Sequence, residues 1–124
     1  MKFLWTTIHV ENLEESINFY TDLLGLKLLK RFLAGPGMEI AFLGNETEGE
    51  TLIEFIKSSS HGKVQHSESI SIGFAVKSVE TMLTIVNDKN IPIHSGPFET
   101  PTTRFFLIKD PNGLNIQFFE QNFK

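Results

Sequence analysis

The spacing of apolar residues changes period several times along the chain. Residues 3–10, FLWTTIHV, read as a strand, and ENLEESINFYTDLLGL (11–26) then switches to helical spacing. Leu13, Ile17, Tyr20, Leu23 and Leu24 fall on one stripe of that helix, with Ser16 among them. Asn12 is placed to cap its start, Glu15 completes a capping box, and Gly25 is a natural stop. Three strands are predicted next, over Lys27–Leu33, Met38–Leu43 and Thr51–Lys57, with AGPG (34–37) and GNETEGE (44–50) as the turns between them.

The order then recurs. SISIGFAV (69–76) reads as a strand and KSVETMLTIVNDKN (77–90) as a helix burying Val79, Met82, Leu83 and Val86. Strands at Ile91–Ile93, Arg104–Ile108 and Leu114–Phe119 follow, the last two joined by KDPNG (109–113), with proline and glycine at turn positions. The stretch VENLE (10–14) matches VKSVE (76–80) at an offset of 66 residues. A β-α-β-β-β unit is therefore expected twice: module one over 1–57, a polar linker over 58–68, and module two over 69–124.

Composition narrows the possible functions. A formal net charge of −4 with scattered basic residues argues against a nucleic-acid partner, since phosphate binding needs clustered Lys and Arg. With no cysteine among 124 residues, disulfides, thiolate catalysis and Cys-ligated zinc are excluded. No apolar run reaches the length of a membrane span, and MKFLWTTIHV is too short an apolar stretch for a signal peptide. These features lead to the expectation of a soluble cytoplasmic protein with no membrane partner.

One stretch resists the pattern. In TLIEFIKSS (51–59), Glu54 lies within an apolar run, where a carboxyl group is expensive to bury without a cation, a metal or a proton. Two motifs suggest a context for it. VENLEESINFYTDLLGLKLL (10–29) resembles the first-helix signature of the vicinal oxygen chelate superfamily, the glyoxalase I and bleomycin-resistance group. KDPNGLNIQFFE (109–120) resembles that family's terminal hairpin, and the duplicated unit fits as well. The resemblance covers nearly the whole chain. It implies an α+β fold in which two βαβββ modules form a curved mixed sheet around a cavity, commonly in a homodimer.

The resemblance also implies where a metal would sit. Metal-dependent members hold a divalent ion with four side chains, and the matching positions here are Trp5, Glu54, Ser71 and Gln117. Only Glu54 is a ligand of the usual type; indole offers no lone pair, and the Ser and Gln oxygens are weak neutral ligands. No metal or other cofactor is expected, with a divalent ion such as Ni or Zn as the alternative. Strand parity assigns Trp5, Thr7, His9, Leu52, Glu54, Ile56, Ser71, Gly73, Ala75, Arg104, Phe106, Ile108, Asn115, Gln117 and Phe119 to the cavity face. It assigns Ile8, Val10, Ile53, Phe55, Ile72, Phe74, Ile116 and Phe118 to the face beneath the helices. Arg104 is one candidate partner for Glu54, while Glu120 and the linker residues His61 and His66 are expected in solvent. The first expectation is a metal-free binder of a small drug-like or metabolite molecule. The alternative is a glyoxalase-like lyase or isomerase with Glu54 as general base.

Overall fold

The computed structural model describes residues 1–60 and 62–121, so His61 lies outside the described residues. The chain divides into two compact units, Met1–Gln65 and a second that begins at His66. The first contains β1 (Trp5–His9), α1 (Leu13–Asn18), a π-helical turn (Phe19–Leu23), β2 (Lys27–Gly35), β3 (Met38–Gly44) and β4 (Leu52–Ser58). The second contains β5 (Ser71–Ala75), α2 (Val79–Asp88), β6 (Ser95–Glu99), β7 (Thr103–Lys109) and β8 (Asn115–Gln121). Each unit forms its own four-stranded mixed sheet, ordered β1-β4-β3-β2 and β5-β8-β7-β6. In each, the first strand lies parallel to the last and the other pairings are antiparallel.

The sequence repeat is reproduced in detail. Asn12 caps α1 by accepting from the Glu15 N–H at 2.9 Å, and Ser78, 66 residues on, caps α2 by accepting from the Thr81 N–H at 3.1 Å. Both caps have extended backbone, which turns the incoming strand into the helix. The first helix ends at Gly25, in the left-handed region with φ of +74°. The anticipated single helix is in fact two segments: α1 gives way to a π-helical turn from Phe19.

Each helix packs on one face of its sheet. Ile8, Val10, Leu13, Ile17, Tyr20, Ala41, Leu43 and Phe55 are buried in the first unit, with Tyr20 edge-on to Phe55 at 4.8 Å. Val79, Met82, Val86, Phe106, Ile108, Ile116 and Phe118 form the second core, with Phe106 and Phe118 rings 5.1 Å apart. Ile53, Ile72 and Phe74, expected beneath the helices, are only half-buried.

The strand anticipated at Ile91–Ile93 does not form. The Ile91 N–H is taken by Val86 O at 2.9 Å, closing the end of α2, and Pro92 has no N–H to give. Sheet pairing starts instead at Ser95, opposite Leu107. The KDPNG turn forms as anticipated: Asp110 Oδ1 accepts from the N–H groups of Asn112 and Leu114 at 2.8 and 2.9 Å.

Candidate functional site

Register fixes which side chains share the sheet face turned away from the helix. In the first unit Lys30, Phe42, Glu54 and Thr7 stand in one row across β2, β3, β4 and β1. Phe32, Ile40, Ile56 and His9 form the next row, and Leu52 pairs with Trp5 on the other side. Trp5 meets Phe42 edge-on at 5.2 Å, Phe42 lies nearly parallel to Phe32 at 6.4 Å, and Lys30 Nζ sits 5.0 Å from the centre of the Phe32 ring. Trp5 remains 43% exposed, and Thr7 and His9 are also exposed.

Glu54 sits in the middle of this face and is only 8% exposed. The Thr7 hydroxyl donates to its Oε1 at 2.5 Å, the short end of the range for a hydroxyl on a carboxylate. Among the described residues no Lys, Arg or His forms an ion pair with Glu54. The question posed by the apolar run LIEFI thus has a local answer: an isolated carboxyl held by one neutral hydroxyl beside aromatic rings.

The second unit repeats the arrangement with different chemistry. Ser71 pairs with Asn115 as Trp5 does with Leu52, and Gly73 pairs with Gln117 as Thr7 does with Glu54. A Cβ on Gly73 would lie 3.7 Å from Gln117 Oε1, so the amide stands directly over the bare glycine. Phe98, Phe105 and Phe119 form an aromatic row on this face, with centroid separations of 5.3 and 6.3 Å. At its end, Lys109 and Asn115 hold the segment that precedes β5. The Asn115 amide donates to Glu68 O at 3.1 Å, and the Glu68 carboxyl takes a hydrogen bond from Lys109 and lies 3.4 Å from His94 Nε2. The Lys109 hydrogen bond foremost holds the Glu68 carboxyl below its ordinary range.

Three placements differ from expectation. Arg104, Phe106 and Ile108 belong to the helix face, because β7 pairs with β8 as Phe106 with Phe118 and Ile108 with Ile116. Phe106 is fully buried, and Arg104 contacts Glu80 at 2.8 Å and Glu99 at 3.7 Å, so its charge is answered within its own unit rather than by Glu54. The alternate residues Phe105, Leu107 and Lys109 take the other face. Glu120 is not simply solvated: its Oε1 accepts from the Val79 N–H at 2.7 Å at the start of α2. His66 is half-buried rather than exposed.

Phe32, Ile40 and Phe42 were not anticipated. Parity along β3 alone would have offered Ile40 and Phe42 as a pair, but the register shift between Leu28 and Lys30 reverses the alternation along β2. Among the described residues no three His, Cys, Asp or Glu side chains come together as a metal-binding group.

The chain belongs to the glyoxalase/bleomycin resistance protein/dioxygenase superfamily, whose pattern it matches over residues 2–118. It is 29% identical over 127 residues to lactoylglutathione lyase of Haemophilus influenzae, covering 97% of this chain and 93% of that protein. Its fold superposes on trypanothione-dependent glyoxalase I of Leishmania major with a TM-score of 0.81 at 27% identity, covering 97% of this chain and 86% of that one. It also superposes on TnmS3, an antibiotic binding protein from a Streptomyces species, with a TM-score of 0.72 at 16% identity, covering 98% and 96% of the two chains. No helix among the described residues is long and apolar enough to cross a membrane.

Proposed function

We propose that this protein binds a small, partly aromatic or apolar molecule and does so without a resident metal ion. The observation that carries the reading is the row Phe42–Glu54–Thr7 with Trp5 beside it: an exposed indole and a half-buried phenyl ring around one nearly buried carboxyl. Few polar groups on an aromatic and apolar lining is the usual make-up of a small-molecule site.

The residues at the family's ligand positions do not fit a divalent transition metal. The indole nitrogen of Trp5 is a donor only, Ser71 and Gln117 supply weak neutral oxygens, and Glu54 Oε1 already accepts from Thr7. One carboxylate with such companions holds Ni or Zn poorly. The same reading makes the protein a cytoplasmic homodimer. With no cysteine to oxidise, nothing requires an oxidising compartment, and Phe3, Leu4, Leu28 and Leu33 stay exposed in a single chain of the first unit.

A second reading, a glyoxalase-like lyase or isomerase with Glu54 as general base, is favoured by the near full-length similarity to lactoylglutathione lyase. Two measurements separate the readings. Elemental analysis of dialysed protein is expected to find no stoichiometric transition metal, and a full equivalent would overturn the first. Turnover of a 2-oxoaldehyde–thiol adduct that vanishes in Glu54→Gln would establish the second. A thermal-shift screen of antibiotics and aromatic metabolites is expected to yield stabilising ligands.

A further inference from the structure

We propose that the Glu54 face of the first unit selects organic ammonium ions that carry an aromatic group. This inference rests on the binding reading above and names the class of ligand that the face would take.

Three observations converge on it. Glu54 is 8% exposed, yet its carboxyl is answered by the Thr7 hydroxyl alone and by no cation among the described residues. A carboxylate so withdrawn from water gains most from a partner that brings a positive charge and N–H donors together. Beside it, Trp5 and Phe42 present edge-packed rings, with Trp5 still open to a visitor. Ring faces attract cations as well as other rings.

The same surface already shows that preference. Lys30 places its ammonium 5.0 Å from the centre of the Phe32 ring, on the far side of Phe42 from Glu54. Two strand spacings, about 10 Å, separate Lys30 from Glu54 across the sheet. With its ammonium over the Phe32 ring, Lys30 makes no ion pair with Glu54 and leaves the carboxyl to a ligand. A net charge of −4 adds a weak general attraction for cations.

The geometry assigns the ligand's ammonium to Glu54 and its ring to Trp5 and Phe42. A neutral alcohol of the same shape would keep the ring contacts and lose the charge, and a carboxylate would meet like charge.

The test uses the intact protein at neutral pH with three probes: phenethylammonium, phenethyl alcohol and hydrocinnamate, titrated by calorimetry and thermal shift. Phenethylammonium is expected to bind at least about tenfold more tightly than the alcohol, and hydrocinnamate more weakly than both. Glu54→Gln is expected to bring the ammonium and alcohol within about twofold of each other, the ammonium losing the larger share of its affinity. Thr7→Val, which keeps the carboxyl and removes its internal donor, is expected to widen the ammonium preference, so the inference stays testable even if Glu54→Gln does not fold. Equal binding of ammonium and alcohol would overturn this inference and leave the binding reading standing. An ammonium preference that survives Glu54→Gln would overturn it by placing the charge recognition elsewhere. Binding by none of the three would remove the inference, and a blank antibiotic and metabolite screen would remove the reading beneath it.

Discussion

Thr7 and Glu54 are direct partners across the parallel strands β1 and β4, and the Thr7 hydroxyl donates to the carboxyl at 2.5 Å. Replacing that hydroxyl with a methyl of similar shape leaves a nearly buried carboxyl without its donor. Thr7→Val is therefore expected to lower stability by about 1–3 kcal/mol, read as a shift in urea midpoint at unchanged slope. The loss should shrink in a Glu54→Gln background, because the neutral amide asks less of its neighbour. An unchanged midpoint in Thr7→Val would mean that water serves Glu54 as well as the hydroxyl does.

Phe105 and Phe106 are neighbours in sequence but lie on opposite faces of the second sheet. Phe106 is fully buried against Phe118, whereas Phe105 is half-buried in the row with Phe98 and Phe119. Phe106→Ala is expected to destabilise by about 3–5 kcal/mol, the cost of a large cavity. Phe105→Ala is expected to cost distinctly less in thermal or urea unfolding. The reverse order would contradict the register of β7.

These two neighbours show where sequence reading succeeded and where it stopped. The repeat, the Asn12 cap and six of the eight strands were legible at close to their observed bounds, because caps, turns and alternation are local properties. Strand β1 was also anticipated, two residues longer at its start. Face assignment in β7 was not legible, since it depends on how many residues the turn before Asn115 consumes. One residue of slip sends Arg104 and Phe106 to the other side. The strand at Ile91–Ile93 failed for a related reason: the helix end had a stronger claim on the Ile91 N–H than any sheet edge. Glu54 itself stood out from its apolar neighbours, but its partner Thr7 lies 47 residues away and only the parallel pairing joins them.

Arg104 lies between β8 and α2 in charge terms: it contacts Glu80 on the helix and pairs in register with Glu120, whose carboxyl accepts from the first N–H of that helix. Glu120 thus acts as a second cap beside Ser78 and places a negative charge at the positive end of α2. Glu120→Ala is expected to cost about 1–2 kcal/mol, and Glu120→Gln, which keeps an acceptor oxygen, about half as much. Glu80→Gln should cost well under about 1 kcal/mol, since the Glu80 side chain is largely in water. Equal losses for Glu120→Ala and Glu120→Gln would assign the effect to charge alone.

Glu68 supplies the pH dependence. Its carboxyl is held below the ordinary value near 4.5, first by the hydrogen bond from Lys109 and further by the charges of Lys109 and His94 and by Asn115, against a smaller upward push from desolvation. The folded state therefore binds this proton less tightly than the unfolded chain does. Its stabilising contribution is fully present above the ordinary value and is lost as pH falls through the lowered folded value. Lys109→Met keeps the apolar stem and removes the donor and the charge. The difference in Tm between the parent and Lys109→Met is expected to stay level from about pH 7 to about pH 5.5 and to narrow toward about pH 3. Glu50, likewise held low, chiefly by the Asn45 and Thr47 N–H groups, contributes to the acid limb of both proteins and so cancels in that difference. A gap that persists unchanged at the acid end would show that the Lys109 ammonium stabilises the second unit by something other than its bond to the ionised Glu68 carboxyl.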